Sequence, residues 1–251
     1  MLSDCIEREK KGTDYVCPPE DKSTLLEMLG KINVECGTHI EYLAELDAFY
    51  VIGAGNIVVD YIDRFSSESV KAYLIPQILL DRIKDCDRLI LRLYRNFRDS
   101  SEYISAPGIP APSHIYTRYD AAFHKLKSKR IKMELLNIVS FPRDAFYLPL
   151  TVKMLASWKI PELKRILLNY LNPCVVTMLD VGLCEDGQAY SPPFSYIRRE
   201  LTFTAINCLG YYPSQETADA LFTYASDPDK DIRLSANRIY KQISNLTGST
   251  D

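Results

Sequence analysis

The glycine-containing segment Val51–Val59 has the spacing that comes closest to a cofactor site in this sequence. A Gly-x-Gly turn before a helix lets backbone N–H groups approach a pyrophosphate. The third glycine position is occupied here by Val58, and residues 71–78 offer no acidic side chain for a ribose. No alternating series of strands and helices follows. We therefore interpret Gly53 and Gly55 as a break between two stacked helices, and we expect no cofactor.

Metal-binding and nucleophilic residues are too scattered to predict a catalytic centre. His39, His114 and His124 have no histidine four residues away and belong to no Cys/His ligand pattern. The seven cysteines include no Cys-x-x-Cys pair, and only Cys174 and Cys184 are placed to bridge a loop. No Gly-x-Ser-x-Gly nucleophile elbow is present. We expect free thiols in a reducing compartment, no metal ion and no catalytic triad.

Two groups of cations have the spacing of a surface for an acidic partner. The first lies at intervals of four and three residues, which places it on one face of a helix: Arg88, Arg92 and Arg95. The second supplies five cations within residues 125–132: Lys125, Lys127, Lys129, Arg130 and Lys132. Charge runs are usually solvated helix faces. The alternative interpretation is a groove that binds an acidic protein segment or a phosphate backbone.

Aromatic residues give a third set of candidates, since the chain contains 17 tyrosines. Tyrosine is favoured at interfaces, and we select Tyr211 and Tyr212 as binding residues on that basis. The alternative is a tyrosine at the edge of the core with a solvated hydroxyl. Aromatic residues close to the basic groups have the chemistry to stack on single-stranded nucleic acid, but we expect them to pack between helices: Tyr94, Phe97, Tyr116, Tyr119 and Phe123.

The elements that position these residues are predicted to be helices. Apolar residues recur at helical spacing, and no alternating run indicates a strand. Thr24 and Glu27 form a capping-box pattern that would open the first helix. The remaining expectations are a polar tail over residues 1–22, a long helical stretch over 114–139, and loops over 99–113 and 180–193.

An internal repeat relates residues 154–171 to residues 208–225 at a constant offset of 54. The aligned pairs include Leu155 and Leu209, Ala156 and Gly210, Trp158 and Tyr212, and Tyr170 and Tyr224. Each segment reads as a helix end, a tight turn and a second helix. A helix pair has an apolar face that it cannot bury alone, and a stacked neighbour supplies the cover.

A shorter spacing carries a family resemblance. Ile197-Arg198 and Ile232-Arg233 lie 35 residues apart, and the helix after the first ends on Leu209-Gly210. The pattern resembles HEAT repeats, whose consensus looks like V-R-x-x-A-x-x-A-L-G, an apolar helix and D-x-x-x-x-V-R-x-x-A. It is clearest over residues 142–173 and 194–243.

The resemblance implies an all-α fold, a right-handed α-solenoid of stacked helical hairpins of HEAT or armadillo type. We predict that it forms a single domain over residues 23–246. A concave surface built from the second helices would then bind another macromolecule. Asp227 and Arg233 fit structural roles, as a helix cap and as an interhelix salt bridge or carbonyl contact.

Composition sets the remaining limits on function. The 251 residues are 47% hydrophobic and 25% charged, which is typical of a soluble globular chain and excludes wholesale disorder. The net charge of −3 provides no overall basic field for nucleic acid or anionic lipid. We find no secretory signal and no apolar run that could span a bilayer, so we expect a cytoplasmic protein with no membrane partner.

The function that these observations predict is a non-catalytic scaffold or adaptor whose partner is another protein, with an acidic segment as one candidate ligand and nucleic acid as a less favoured partner. One alternative is a nucleic-acid-binding HEAT-like protein, of the DNA-repair type, that uses the basic helix faces. A second alternative is a HEAT-type enzyme, which would require a deep pocket with convergent carboxylates.

Overall fold

The computed structural model describes residues 17–49, 51–100, 113–182 and 193–247, and every regular element in these ranges is helical. Thirteen α-helices and two 3-10 turns occur there, which confirms the predicted all-α class for the described residues. No helix within these ranges is both long and apolar enough to cross a membrane.

The chain divides into two compact units, whereas the sequence predicts one domain over residues 23–246. Unit 1 contains the described residues before 101 together with 114–126, and unit 2 contains those from 127 onward. The predicted loops over 99–113 and 180–193 fall mostly outside the described residues.

Unit 1 consists of six helices that pack mainly against near neighbours in the chain. They are α1 (Lys22–Cys36), α2 (Leu43–Phe49), α3 (Ala54–Ile62), α4 (Glu68–Leu80), α5 (Cys86–Asp99) and α6 (Ser113–Leu126). The helix α3 packs against α1 and α4, and α4 also packs against α2 and α5.

The aromatic residues of α5 and α6 form the centre of the core of unit 1. Tyr94, Phe97, Tyr116, Tyr119 and Phe123 are all fully buried. Their ring centroids lie 5.0 Å apart for Tyr94 and Tyr119 and 5.1 Å apart for Phe97 and Tyr116, both in edge-to-face geometry. These rings therefore pack between helices and present no face to a nucleic-acid base.

The start of unit 1 lies earlier than the sequence predicts. Cys17 and Asp21, both assigned to a polar tail over residues 1–22, are 1% exposed. The Asp21 carboxylate accepts hydrogen bonds from the backbone N–H of Ser66 at 2.7 Å and of Ser67 at 2.9 Å. The predicted tail is thus too long, because its last residues bind the segment that leads into α4.

The predicted capping box of Thr24 and Glu27 does not form. The helix α1 begins at Lys22, so Thr24 already lies inside its first turn. The Glu27 carboxylate instead accepts a hydrogen bond from Tyr61 Oη at 2.8 Å and forms an ion pair with Arg64. These tertiary contacts outcompete the local cap, and the ion pair with Arg64 lowers the pKa of Glu27.

Unit 2 contains seven helices after a short 3-10 turn. They are α7 (Lys132–Val139), α8 (Pro142–Tyr147), α9 (Pro149–Ser157), α10 (Pro161–Leu171), α11 (Phe194–Leu209), α12 (Gln215–Phe222) and α13 (Lys230–Thr247). The helices α8, α9 and α10 each begin with proline, whose missing N–H is not needed in a first turn.

The helices of unit 2 form pairs that follow one another along the chain. The most extensive packing within pairs joins α10 to α11 and α12 to α13, and α7 packs against α9. The second members of these pairs lie side by side, since α11 packs against both α9 and α13. At the end of α11, Gly210 lets the backbone lie close to α13, since a Cβ at this position would be only 3.2 Å from Ile239 Cδ1.

Two tyrosines that align at the offset of 54 make equivalent contacts. Tyr170 Oη donates to the carbonyl of Val139, the last residue of α7, and Tyr224 Oη donates to the carbonyl of Leu171, the last residue of α10. The last carbonyls of a helix have no partner within it. Each tyrosine therefore supplies a donor that the preceding first helix lacks.

Two arginines that align at the spacing of 35 also contact carbonyls. Arg198 Nη1 donates to the carbonyl of Val176 at 3.0 Å, and Arg233 Nη1 donates to the carbonyl of Asp227 at 2.5 Å. The structural role predicted for Arg233 is therefore confirmed. The helix cap is Asp229 rather than Asp227, because its carboxylate accepts from two N–H groups in the first turn of α13.

The tyrosine contacts should contribute unequally to stability because their burial differs. Tyr170 is 4% exposed, whereas Tyr224 is only half-buried. Tyr170→Phe should lower the free energy of unfolding by about 1–2 kcal/mol, since it leaves a buried carbonyl without a donor. Tyr224→Phe should cost less, because water can replace the hydroxyl. Urea unfolding of both variants measures the difference, and equal losses would contradict it.

Candidate binding surface

The backbone N–H groups of the Gly-x-Gly segment in unit 1 bind a carboxylate of the protein itself, that of Asp81. Gly53 N donates to Asp81 Oδ1 at 2.9 Å, and Gly55 N donates to Asp81 Oδ2 at 2.5 Å. A Cβ on Gly55 would lie 2.8 Å from the carbonyl of Gln77 in α4. The glycines therefore allow α3 to start against the end of α4, and Gly53 forms the break in the chain before α3 that the sequence predicts. The N–H groups that a pyrophosphate would need are used by Asp81.

The sequence predicts no metal centre because its candidate ligands are scattered along the chain. No group of three or more His, Cys, Asp or Glu side chains is placed to hold a metal ion within the described residues. His39 is exposed and His124 is half-buried, while the side chain of His114 lies outside the described residues. The possible bridge between Cys174 and Cys184 also lies outside the described residues, because the structure does not describe Cys184.

The first arginine group lies on the exposed face of α5, as its spacing predicts. Arg88, Arg92 and Arg95 are all exposed. Arg92 forms a two-point ion pair with Asp63, at 2.9 Å and 3.0 Å. Among the described residues, Arg88 and Arg95 have no ion-pair partner. This face therefore presents two available cations on either side of a neutralised one.

The second basic group does not lie on one helix face. The predicted helix over residues 114–139 is wrong: α6 ends at Leu126, and Lys127 has a φ of +47°. Lys129 and Arg130 belong to a 3-10 turn before α7. Lys125, the last cation of α6, precedes this break. A left-handed backbone cannot continue an α-helix, so these side chains, although exposed, form no regular stripe.

The two tyrosines selected from the sequence have different environments. Tyr212 is 9% exposed, and burial raises its pKa to about 12. Tyr212 therefore belongs to the core, and its selection as an interface residue is wrong. At the offset of 54 it aligns with Trp158, which is half-buried. Tyr211 is 42% exposed and lines a surface pocket.

The pocket beside Tyr211 has a volume of about 300 Å³ and lies on the second helices of unit 2. Its lining residues are Lys153 from α9, Phe203, Asn207 and Cys208 from α11, and Tyr211. Two of these lining residues, Phe203 and Tyr211, are aromatic. Phe203 and Asn207 lie four residues apart, so they occupy one face of α11.

Two cations lie at this pocket without carboxylate partners. Lys153 is exposed and has no ion-pair partner among the described residues. Arg238 of α13 is also exposed, and its Nη2 donates to Asn207 Oδ1 at 2.8 Å. The Asn207 amide is fixed from its other end, because Nδ2 donates to the carbonyl of Phe203 at 2.8 Å. Asn207 therefore holds Arg238 at the edge of the pocket.

The ionisable residues that line the pocket are Lys153, Cys208 and Tyr211. Its one thiol belongs to Cys208, which is fully buried, and burial raises the pKa of this thiol to about 12. A thiol with that pKa is protonated at neutral pH and is a poor nucleophile. No carboxylate lines the pocket. The convergent carboxylates that a HEAT-type enzyme would need are therefore absent from this pocket.

The sequence identified one of these residues and missed the others. Tyr211 was selected for its residue type, but Lys153 and Arg238 are single cations separated by 85 positions and carry no local pattern. Phe203 and Asn207 lie on one helix, α11, where the spacing of four residues predicts a common face but not whether that face is exposed. Only the packing of α9, α11 and α13 brings these residues together.

Comparison with known proteins gave no match for this chain, whether against protein-family models, curated proteins or solved structures.

Proposed function

We propose that this protein is a non-catalytic scaffold or adaptor, a HEAT-like α-solenoid that binds another protein through its second helices. The observation that carries the proposal is the exposed pocket of Phe203 and Tyr211, with two cations that have no carboxylate partner. A cytoplasmic location agrees with the free thiols, and we propose that location as well.

The helix packing of unit 2 supports the solenoid. Helix pairs that contact mainly their neighbours in chain order are the defining feature of such proteins. The hairpins α7–α9, α10–α11 and α12–α13 follow this order. The equivalent contacts of Tyr170 and Tyr224 also support it, because a repeated architecture should satisfy the same helix end with the same donor each time.

The position of the pocket agrees with binding by second helices. Lys153 lies on α9, Phe203 on α11 and Arg238 on α13, so one face collects side chains from three successive hairpins. Rigid stacked helices hold such side chains in place before the partner arrives, which reduces the ordering cost of binding.

Affinity capture with the full-length chain tests this function. The partner should be a protein that is retained after nuclease treatment by the wild type. It should be lost with the double variant Lys153→Glu, Arg238→Glu. The matched control is Arg88→Glu, Arg95→Glu, which reverses two exposed cations of unit 1 and should retain the partner.

The nucleic-acid alternative predicts the opposite pattern. Retained material that is destroyed by nuclease, or that is lost only when Arg88 and Arg95 are reversed, would overturn the proposal. It would place the function on the exposed face of α5 instead.

A further inference from the structure

We infer that the pocket on α9 and α11 takes an acidic peptide segment that inserts one aromatic or leucine side chain between Phe203 and Tyr211. This inference rests on the proposed function and specifies the ligand of the same surface. This surface combines an apolar site for an anchor side chain with two cations at the edge of the pocket.

The size and walls of the pocket indicate a single side chain as the buried part of the ligand. Its volume of about 300 Å³ lies at the lower end of the range for small-molecule sites, roughly 300–1,000 Å³. Phe203 and Tyr211 offer ring surfaces, and edge-to-face or offset contacts between rings are favourable. Apolar and aromatic anchors in such pockets usually dominate the binding energy of a peptide.

The charges around the pocket indicate that the flanking residues of the ligand are acidic. Lys153 and Arg238 come from two helices that both pack against α11, and neither has a carboxylate partner among the described residues. Arg238 is also held in position through Asn207. Two carboxylates that flank an anchor side chain would each meet one cation. Such rim pairs mainly raise the association rate and the specificity.

The neighbouring charges favour a peptide over nucleic acid. Glu200 lies three residues before Phe203 on the same face of α11, and Arg199 is its ion-pair partner. A continuous phosphate backbone along α11 would pass this carboxylate. A peptide can place its carboxylates beside Lys153 and Arg238 and leave the stretch beside Glu200 uncharged.

Fluorescence anisotropy with a defined peptide tests the inference. The probe is a fluorescein-labelled peptide of 12 residues, all Gly or Ser except for one central Phe with one Asp on each side, and it is titrated with the full-length chain. Replacement of the central Phe by Ala should weaken binding at least about tenfold, as loss of a buried anchor does. The double variant Lys153→Glu, Arg238→Glu should weaken it by a similar factor, and higher salt should weaken the wild type. Phe203→Ala, which removes one lining ring, should also weaken it.

The control variant is Lys230→Glu, which reverses an exposed lysine of unit 2 outside the pocket and should leave the affinity unchanged. Equal binding of the Phe and Ala peptides would overturn the inference, because it would mean that no anchor is buried. Tighter binding of a 12-nucleotide oligo-dT than of the peptide would also overturn it and assign the pocket to phosphate.

The outcomes separate this inference from the proposed function. If the peptide fails to bind but capture of a protein still depends on Lys153 and Arg238, the surface binds a partner of other chemistry and only the inference is lost. If neither the peptide nor any captured protein depends on these two residues, both are overturned.

Discussion

Phe97→Ala should lower the free energy of unfolding of unit 1 by about 3–5 kcal/mol, the usual cost of removing a buried phenylalanine ring. Phe97 is fully buried, and its ring centroid lies 5.1 Å from that of Tyr116 and 5.9 Å from that of Tyr119. The loss combines burial, ring contacts and the cavity between α5 and α6. Because the rings of Tyr116 and Tyr119 are stiff and both are held on α6, the cavity should collapse poorly.

Urea unfolding followed by circular dichroism measures the effect of Phe97→Ala. The matched control is Phe222→Ala, the same chemical change at a residue that is 63% exposed, which should cost about 1 kcal/mol or less. The single tryptophan, Trp158, lies in unit 2, so its fluorescence follows that unit separately. A loss below about 1 kcal/mol for Phe97→Ala would contradict the aromatic core described for unit 1.

Asp21→Ala should lower the free energy of unfolding by about 2–3 kcal/mol, because it removes a buried charged acceptor that three donors share. The carboxylate of Asp21 is 1% exposed and accepts from Ser66 N, Ser66 Oγ and Ser67 N, at 2.7, 2.8 and 2.9 Å. It therefore ties the start of α1 to the start of α4. Hydrogen bonds to a charged acceptor are among the stronger ones in proteins.

The control for Asp21→Ala is Glu20→Ala, which removes a neighbouring exposed carboxylate. Surface substitutions of this kind usually change stability by about 0.5 kcal/mol or less. Thermal unfolding of the full-length chain compares the two variants. Equal, small effects would mean that residues 17–22 behave as the polar tail that the sequence predicts, and would contradict the packing of Asp21.

Local sequence patterns predict the class of this fold well and its caps poorly. Helical spacing alone is enough to predict an all-α chain, because 3.6-residue periodicity follows directly from burial of one helix face. The pattern of Thr24 and Glu27 fails as a cap because Glu27 has stronger partners in α3 and just after it. Those partners lie 34 and 37 residues away, where no local pattern points to them.

The two groups of basic residues also show that a local pattern does not predict where a helix ends. The spacing of Arg88, Arg92 and Arg95 correctly places them on one exposed face, because α5 is continuous there. The run from Lys125 to Lys132 has an equally helical composition, but Lys127 adopts a left-handed backbone and ends the helix. A lysine gives no signal for such a turn, unlike glycine or asparagine.

The candidate site depends on contacts that are distant in the chain. The repeat at an offset of 54 correctly marks Tyr170 and Tyr224 as equivalent, and the structure gives them equivalent acceptors. The same alignment cannot predict the pocket, because Lys153, Asn207 and Arg238 all lie outside its two segments.

Hydrogen–deuterium exchange of the full-length chain, with and without its captured protein partner, measures directly whether the second helices of unit 2 form the binding surface. Protection on binding should concentrate in α9, in the second half of α11 through Tyr211, and around Arg238 in α13. Protection that is confined to α5, or to the first helices α10 and α12, would contradict binding through the second helices.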